Sequence, residues 1–421
     1  MKNIKLLIIT EFVFFSIFLP FSVIGYNHVI LNSRNLSHNS ADQTNPYEIE
    51  QGITYEVEVN FSLTNLAGSN KYLFKLSRLD DREVDSPSDQ FCPPYQMSDI
   101  LYSDIDNTDE EPAVIVDRFG NSYDLFNSTL NSNEKVILNQ KYSVKLNEIT
   151  FEDVDYSLIT EYDTSSEIFA LYCNKSEPNF ERDDPNLIQV SNNLVGPSDN
   201  PIEKAEKICD WVSSYLEYDD SLGAAEKGAL WAYENGIGDC SEFSSLMITL
   251  LRIQGIPSRK VTGYMISNNP NFDYEKGKSL EFSADNSEGS NFLGHSWIEY
   301  YVAGVGWIAS DPTFHREYNY FNRIDSLRFN LNIGSWFTIP GIAPPNNKIS
   351  EFSNPLVLYQ SGASFEFEYG FNITIMDIES SDLPKESLNL DQGMTNLLIL
   401  CGVIIGIIGL LGILIRKRNR N

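Results

Sequence analysis

The sequence predicts an α+β fold: a β-sandwich, then a helical segment running into an antiparallel sheet, then a single C-terminal transmembrane helix. Three observations predict it. From Gly52, apolar residues alternate strictly (Ile53, Tyr55, Val57, Val59, Phe61, Leu63), the two-residue period of a half-buried strand. After Pro185 the spacing lengthens to three and four residues and later returns to two. From Leu397 to Ile415 no residue is charged, and Arg416-Lys417-Arg418-Asn419-Arg420 follows at once, so residues 397–415 read as a span with the basic tail 416–421 on the cytoplasmic side.

The N-terminus gives the compartment. Residues 1–25 begin with Lys2 and Lys5, continue through the apolar runs Leu6 to Ile9 and Phe12 to Leu19, and reach Gly25, the pattern of a secretory signal peptide. The body is therefore expected outside the cell, at the membrane surface. The chain is 421 residues long, 42% apolar and 12% aromatic, with a net charge of −29. That charge disfavours nucleic acid, whose phosphates it repels. Five Asn-x-Ser/Thr triplets (Asn35, Asn60, Asn127, Asn174, Asn372) all lie between the two hydrophobic ends.

Residues 26–49 are polar and turn-rich, a flexible lead-in. Further strands are expected at Tyr72 to Leu76, Ala113 to Val116, Val136 to Leu138, Tyr142 to Leu146 and Ile168 to Tyr172, separated by turns such as Phe119-Gly120-Asn121-Ser122, so a sandwich domain is expected over 50–180. Asn200-Pro201 opens a helix with Ala205, Ile208, Cys209, Val212, Tyr215 and Leu216 on one stripe; Cys209 reads as a buried core thiol. A second helix is expected over Ala224 to Tyr233, ending at Asn235-Gly236. A third starts near Cys240 and stops at Gly255, before Pro257. A strand follows at Lys260 to Ile266, then a polar stretch over 267–294. Two more strands, Ser296 to Val302 and Gly306 to Ser310, are joined by Ala303-Gly304-Val305. The unit 195–320 is thus helices followed by antiparallel strands, with a small β region expected over 321–376 and an acidic stalk over 377–396.

A covalent site needs a nucleophile, a base and an orienting group, and this unit offers all three. Cys240 opens a helix, where free amides and the helix dipole favour a thiolate, although Asp239 beside it opposes this. His295 begins one strand and Asp311 ends the next, so a tight hairpin sets them side by side. Each residue alone has an ordinary reading: a structural thiol, a packed histidine, an Asp-Pro-Thr turn. Together at the ends of neighbouring elements they make a Cys/His/Asp acyl-transfer site.

The surrounding strings are Gly238-Asp239-Cys240-Ser241-Glu242-Phe243, Leu250-Leu251-Arg252-Ile253-Gln254-Gly255-Ile256-Pro257, Val261-Thr262-Gly263-Tyr264, Gly294-His295-Ser296-Trp297-Ile298-Glu299, and Gly306-Trp307 through Asp311-Pro312-Thr313. In this order they resemble the transglutaminase-like superfamily over about 200–315. Asp117-Arg118-Phe119-Gly120-Asn121 and the helix from Asn200 resemble its exported microbial members. The resemblance implies a papain-like core in which Cys240 is the nucleophile, His295 the base and then the acid, and Asp311 the residue that orients the imidazole. It implies attack on a protein or peptide amide, release of an amine, and a thioester resolved by water or by a second amine. Oxyanion stabilisation would come from the Cys240 amide and an aromatic side chain upstream, Tyr218 first and Trp211 second, with Trp297 a further cleft residue.

Hydrolysis is favoured over crosslinking, because water is abundant outside a cell and no amine-binding surface is evident. A non-enzymatic surface binding or adhesion module is the alternative from another class. The Gly-Asp-Cys-Ser-Glu-Phe string also resembles the peptide N-glycanase branch, without that branch's zinc-binding cysteines. No cofactor or metal is expected: there is no Cys-x-x-Cys or His-Glu-x-x-His, and Asp104 to Glu111 lacks the glycine and terminal glutamate of a calcium-binding EF-hand loop. Cys92 and Cys173 are one conceivable disulfide pair in an oxidising exterior. The stretch 267–294, with Asp273, Glu275, Glu281, Asp285 and Glu288 against Lys276 and Lys278, is either a substrate-shaping loop over the cleft or a plain surface loop.

Overall fold

A computed structural model describes residues 45–81, 92–174, 176–223, 226–286, 289–334 and 354–380, with the backbone alone of 14–16, 336–338 and 348–350. Apart from 14–16, the expected signal peptide lies outside the described residues. So do most of the lead-in, the stalk beyond Ser380, the transmembrane helix 397–415 and the basic tail. Among the described residues no helix is long and apolar enough to cross a membrane.

The strict alternation after Gly52 produces β1 (Glu48–Asn65), whose residues Ile53 through Leu63 bury every second side chain. It is followed by β2 (Asn70–Ser77), β3 (Gln96–Asp106), β4 (Ala113–Val116), β5 (Ser122–Leu130) and β6 (Lys135–Thr150). β6 lies between β1 and β3 in one sheet, and β2–β5–β4 run together in the other. The sheets face each other across aromatic contacts such as Phe61 and Phe74, with ring centroids 5.7 Å apart, and within the second sheet Phe74 stacks on its ladder partner Phe126 at 4.9 Å.

The two strands expected at 136–138 and 142–146 are one. Gln140 interrupts the apolar alternation but keeps its inward place by donating to Asp124 and accepting from the Tyr142 hydroxyl. The segment Ile168 to Tyr172, expected as a strand, is helix α1 (Glu167–Tyr172). Ser166 caps it, and Ile168, Phe169, Leu171 and Tyr172 bury one helical face. From Phe151 onward the chain packs into the helical core, so the N-terminal run of sandwich strands ends with β6 at Thr150.

That core gathers α2 (Pro185–Leu194), α3 (Pro201–Tyr215), α4 (Ala229–Asn235) and α5 (Cys240–Ile253). Asn200 and Glu203 form a reciprocal capping box on α3, whose stripe Ala205, Ile208, Cys209 and Val212 is buried while Tyr215 is exposed. α4 starts five residues later than expected. Gly228 precedes it at φ +89°, where a Cβ would lie 2.7 Å from the Asn179 Cα, and this keeps 226–228 out of the helix. α5 is buried from Cys240 through Arg252 and packs against the other helices and the sheet behind it.

The sheet behind α5 comes from β7 (Ser258–Met265), β9 (Leu293–Val302), β10 (Gly306–Ser310) and β11 (Arg328–Ile333), in the order β10–β9–β7–β11. Helix α6 (Pro312–Tyr318) follows β10. Inside the stretch 267–294, β8 (Ser279–Asp285) crosses to the sandwich and pairs along β13 (Phe365–Ser380), so this segment is a sandwich edge strand with its turns. β12 (Leu356–Tyr359) pairs with β2, and β13 pairs with β1. The region expected over 321–376 thus supplies strands to those three sheets and forms a fourth, two-stranded one from 336–338 and 348–350, and Asp377 to Ser380, expected in the stalk, finish β13. Local alternation announces a strand; it cannot say which sheet needs it.

Cys92 and Cys173 are free thiols, as are Cys209 and Cys240. Cys92 accepts from Arg259, and Cys173 donates to the Arg252 carbonyl. Burial pushes the Cys209 thiol far up, with the charge of Asp210 adding to it, so it stays protonated.

Sheet and sandwich meet where Tyr264 on β7 packs edge-on to Phe371 on β13 at 5.4 Å, and where the Tyr55 hydroxyl donates to the Ser326 carbonyl. Gly263, opposite His295 in the ladder, permits the close pairing of β7 with β11: a Cβ there would overlap the Phe329 carbonyl oxygen. Gly263→Ala must part β7 from β11. It is expected to destabilise the fold by about 2–3 kcal/mol in urea unfolding.

Candidate active site

Cys240 is the first residue of α5, and its turn is fixed before any tertiary contact is counted. Asp239 caps the helix by accepting from the Ser241 amide (2.8 Å) and hydroxyl (2.7 Å), while Glu242 reaches back to the Asp239 amide (3.2 Å). The sheet then pins that turn. The Ser296 hydroxyl donates to the Cys240 carbonyl at 2.8 Å and lies 3.2 Å from the Ser244 hydroxyl. Lys260, fully buried on β7, donates to the Ser241 carbonyl and the Ser245 hydroxyl and pairs with Glu226.

His295 and Asp311 meet through the register of the hairpin. Ile298 pairs with Ser310, so Asp311 falls across from Trp297, on the same face of the hairpin as Trp297 and His295. The result is a bond of 2.7 Å between His295 Nε2 and Asp311 Oδ2. The other ring nitrogen, Nδ1, is left for a further partner. His295 also adjoins Ser296, the residue that holds Cys240, so all three candidates converge at the junction of α5, β9 and β10.

Asp311 is completely buried. Its second oxygen caps α6 by accepting from the Thr313 and Phe314 amides, and Arg328 donates to Oδ2 at 2.5 Å. Burial alone would raise this carboxyl, but the facing charges of His295 and Arg328, with their hydrogen bonds, hold it well below the usual carboxylate range. Cys240 moves the other way. With only 9% of its surface exposed, burial and then the charge of Asp239 push the thiol well up, against a smaller opposing effect of the Ser296 amide and hydroxyl. The resting nucleophile candidate is a neutral thiol.

The three aromatic candidates are placed differently. Tyr218 is 58% exposed and sits in a short parallel pairing, Glu217–Tyr218 with Ile237–Gly238, directly before Asp239 and Cys240. Burial of its hydroxyl end and the nearby charges of Cys240 and Asp239 raise its phenol. Trp211 is committed elsewhere, stacked at 4.4 Å on Tyr215, which in turn faces Tyr233. Trp297 is buried with its ring nearly parallel to the His295 imidazole at 6.2 Å, so it forms a wall behind the histidine.

Sequence reasoning missed Ser296, Glu242, Lys260 and Arg328. Glu242 carries a signal, since Asp-x-x-Glu at a helix start is a capping pattern. Arg328 carries none: it alternates with Asn330 and Asn332 and reads as part of a solvent face, yet all three are buried.

Residues 188–312, which include all three candidates, match the family profile of the Transglutaminase-like superfamily. This segment is a transglutaminase-like superfamily domain. It is 32% identical over 125 residues to an uncharacterized protein of Haemophilus influenzae, covering 28% of this chain and 33% of that protein. It is 29% identical over 82 residues to a protein-glutamine gamma-glutamyltransferase of Pseudomonas aeruginosa, covering 20% of this chain and 11% of that enzyme. The chain therefore spans a third or less of these curated relatives. A Cytophaga hutchinsonii structure proposed to be a cysteine protease aligns at 16% identity with a TM-score of 0.47, covering 80% of this chain and 93% of that one. The superfamily is typically one of cysteine-based enzymes.

The transglutaminase-like domain also holds a group that titrates near neutrality. Glu242, buried and beside Asp239, is raised by burial and then by that charge to about 7 from 4.5. A raised carboxyl binds its proton more tightly when folded. Its stabilising contribution is full below about pH 4.5 and is lost as pH rises through about 7. E242Q is expected to flatten this loss, on the order of 1–3 kcal/mol, in urea unfolding compared with the unsubstituted protein between those two pH values.

Proposed function

We propose that this chain is a transglutaminase-like cysteine enzyme that acts on protein or peptide amides at the outer surface of the cell membrane, chiefly by hydrolysis. The observation that carries the reading is the His295–Asp311 bond of 2.7 Å set beside a cysteine that opens a buried helix. Export by the segment 1–25 and anchoring by 397–415 are parts of the same proposal, supported by their sequence pattern.

Because Cys240 rests as a thiol, attack requires a base. Asp311 accepts from Nε2–H of His295, which fixes the tautomer with Nδ1 as the acceptor. As the sulfur bonds to the amide carbon, its proton passes to Nδ1, and the imidazolium is stabilised by the ionised Asp311. Negative charge collects on the carbonyl oxygen. The first amide of α5 and the Tyr218 hydroxyl are the groups proposed to receive it. Collapse breaks the C–N bond, the imidazolium returns its proton to the leaving amine, and a thioester remains. Water, deprotonated by the same imidazole, then releases a carboxylic acid and restores the thiol. A primary amine in place of water gives a new amide, and the similarity to the gamma-glutamyltransferase keeps that crosslinking outcome as the second reading.

The test is mass spectrometry of a glutamine-containing peptide mixture after incubation with the detergent-solubilised full-length chain, with and without a primary amine. Cleavage or deamidation is expected, falling roughly 10³-fold or more in Cys240→Ala and His295→Ala and by a smaller factor in Asp311→Asn. Amine incorporation at the expense of acid would make it a crosslinking enzyme. A Cys240→Ala protein with full activity would overturn the reading.

A further inference from the structure

Asp311 is the one member of the candidate triad with no contact to solvent, and its surroundings contain a residue that neither the motif strings nor the matched segment 188–312 includes. Arg328, the first residue of β11, is itself buried. It donates through Nη1 to Asp311 Oδ2, the same oxygen that His295 uses, and through Nε to Asp325 Oδ1 at 3.2 Å. Its guanidinium carbon lies 4.9 Å from the ring centre of Tyr320, 5.1 Å from that of Phe314 and 5.8 Å from that of Trp297. The segment that presents it is held from behind. Asp325 accepts from the Tyr320 hydroxyl and the Leu327 amide, and Ser326 is bonded by the hydroxyls of Tyr55 and Tyr274.

We propose that Arg328 is the positioning residue of this site, gripping the Asp311 oxygen that His295 also bonds, so that the carboxylate stays ionised and the imidazole keeps Nε2 toward it. The inference rests on the proposed roles of Cys240, His295 and Asp311. A lone buried carboxylate is expensive, and one imidazole, neutral in part of its cycle, does not offset that cost. The planar fork of an arginine can serve two carboxylates at once, which the single ammonium of a lysine cannot do in this geometry. The groups that face Asp311 are His295 and Arg328. Asp325 and Tyr320 lie behind Arg328, and the Cys240 and Cys209 thiols and the Tyr218 phenol are near enough to feel the Asp311 charge. Without the guanidinium, burial is opposed by His295 and the two α6 amides alone, and Asp311 takes up its proton at a higher pH.

The experiment reads the Cys240 thiol directly in the full-length chain, by the rate of iodoacetamide alkylation of its own peptide from about pH 4 to about pH 9. In R328M the acid limb of the profile is expected to rise by about one pH unit or more, with slower alkylation throughout. In R328K the limb stays near its original position while the rate falls several-fold, because the charge remains and the fork is lost. A merely structural role would lower the melting temperature of R328M without moving the limb of the folded protein, and that result overturns the inference. If near-UV dichroism shows R328M unfolded, R328K decides: a lowered rate on an unmoved limb supports the proposal, and an unaltered rate or a raised limb overturns it. His295→Ala separates the two levels. Cys240 alkylation that ignores His295 removes the catalytic reading and this inference with it, whereas a His295-dependent thiol indifferent to Arg328 removes the inference alone.

Discussion

A carboxylate with no access to water must be compensated on every side or give up its charge, and the architecture around Asp311 follows from that constraint. One oxygen caps α6, which turns the chain away at the end of β10. The other is shared by an imidazole from β9 and a guanidinium from β11, so two strands on opposite sides of β7 are tied to a single atom. The chain between α6 and β11 closes the remaining sides. Tyr320 returns its carbonyl to the Asp311 amide, and Asp325 takes the second branch of the guanidinium. Through Tyr55 and Ser326 the constraint reaches the sandwich.

The start of α5 shows the opposite economy, in which one short string serves local structure and chemistry together. Asp239 and Glu242 make the helix begin at Cys240, and the charge of Asp239 raises the cost of a thiolate there. Backbone amides at the helix start pull toward the anion. Burial and Asp239 win, so the sulfur is kept as a thiol. Glu242 also accepts from the Lys227 amide while Glu226 pairs with Lys260, which clasps the segment before α4 onto the turn that carries Cys240.

Much of this is legible from residue order, and the exceptions share a cause. β1, α3, α5 and the β9–β10 hairpin each carry their period, cap and stop within their own segment, and each lies within a few residues of expectation. Ile168 to Tyr172 reads as a strand because its run of apolar residues is too short to show a period; the Ser166 cap makes it a helix. β8 reads as a loop because its outward residues are polar and its inward ones few. Of the aromatic candidates, Tyr218 lies close to Cys240 and Trp297 backs His295, while the ring of Trp211 is committed to Tyr215.

Sequence by itself determined that strands precede the helices and an antiparallel sheet follows them, the residue that opens α5, and the His295 and Asp311 ends of a hairpin, because periodicity, capping and turn chemistry act over a few residues. Only the tertiary structure decided which sheet receives β8, β12 and β13, that Arg328 grips Asp311 from a strand outside the recognisable motifs, and that the Cys240 thiol is raised rather than lowered. Strand partners, ion pairs between distant segments and desolvation all depend on what the remainder of the chain places around a residue, and no local spacing encodes that.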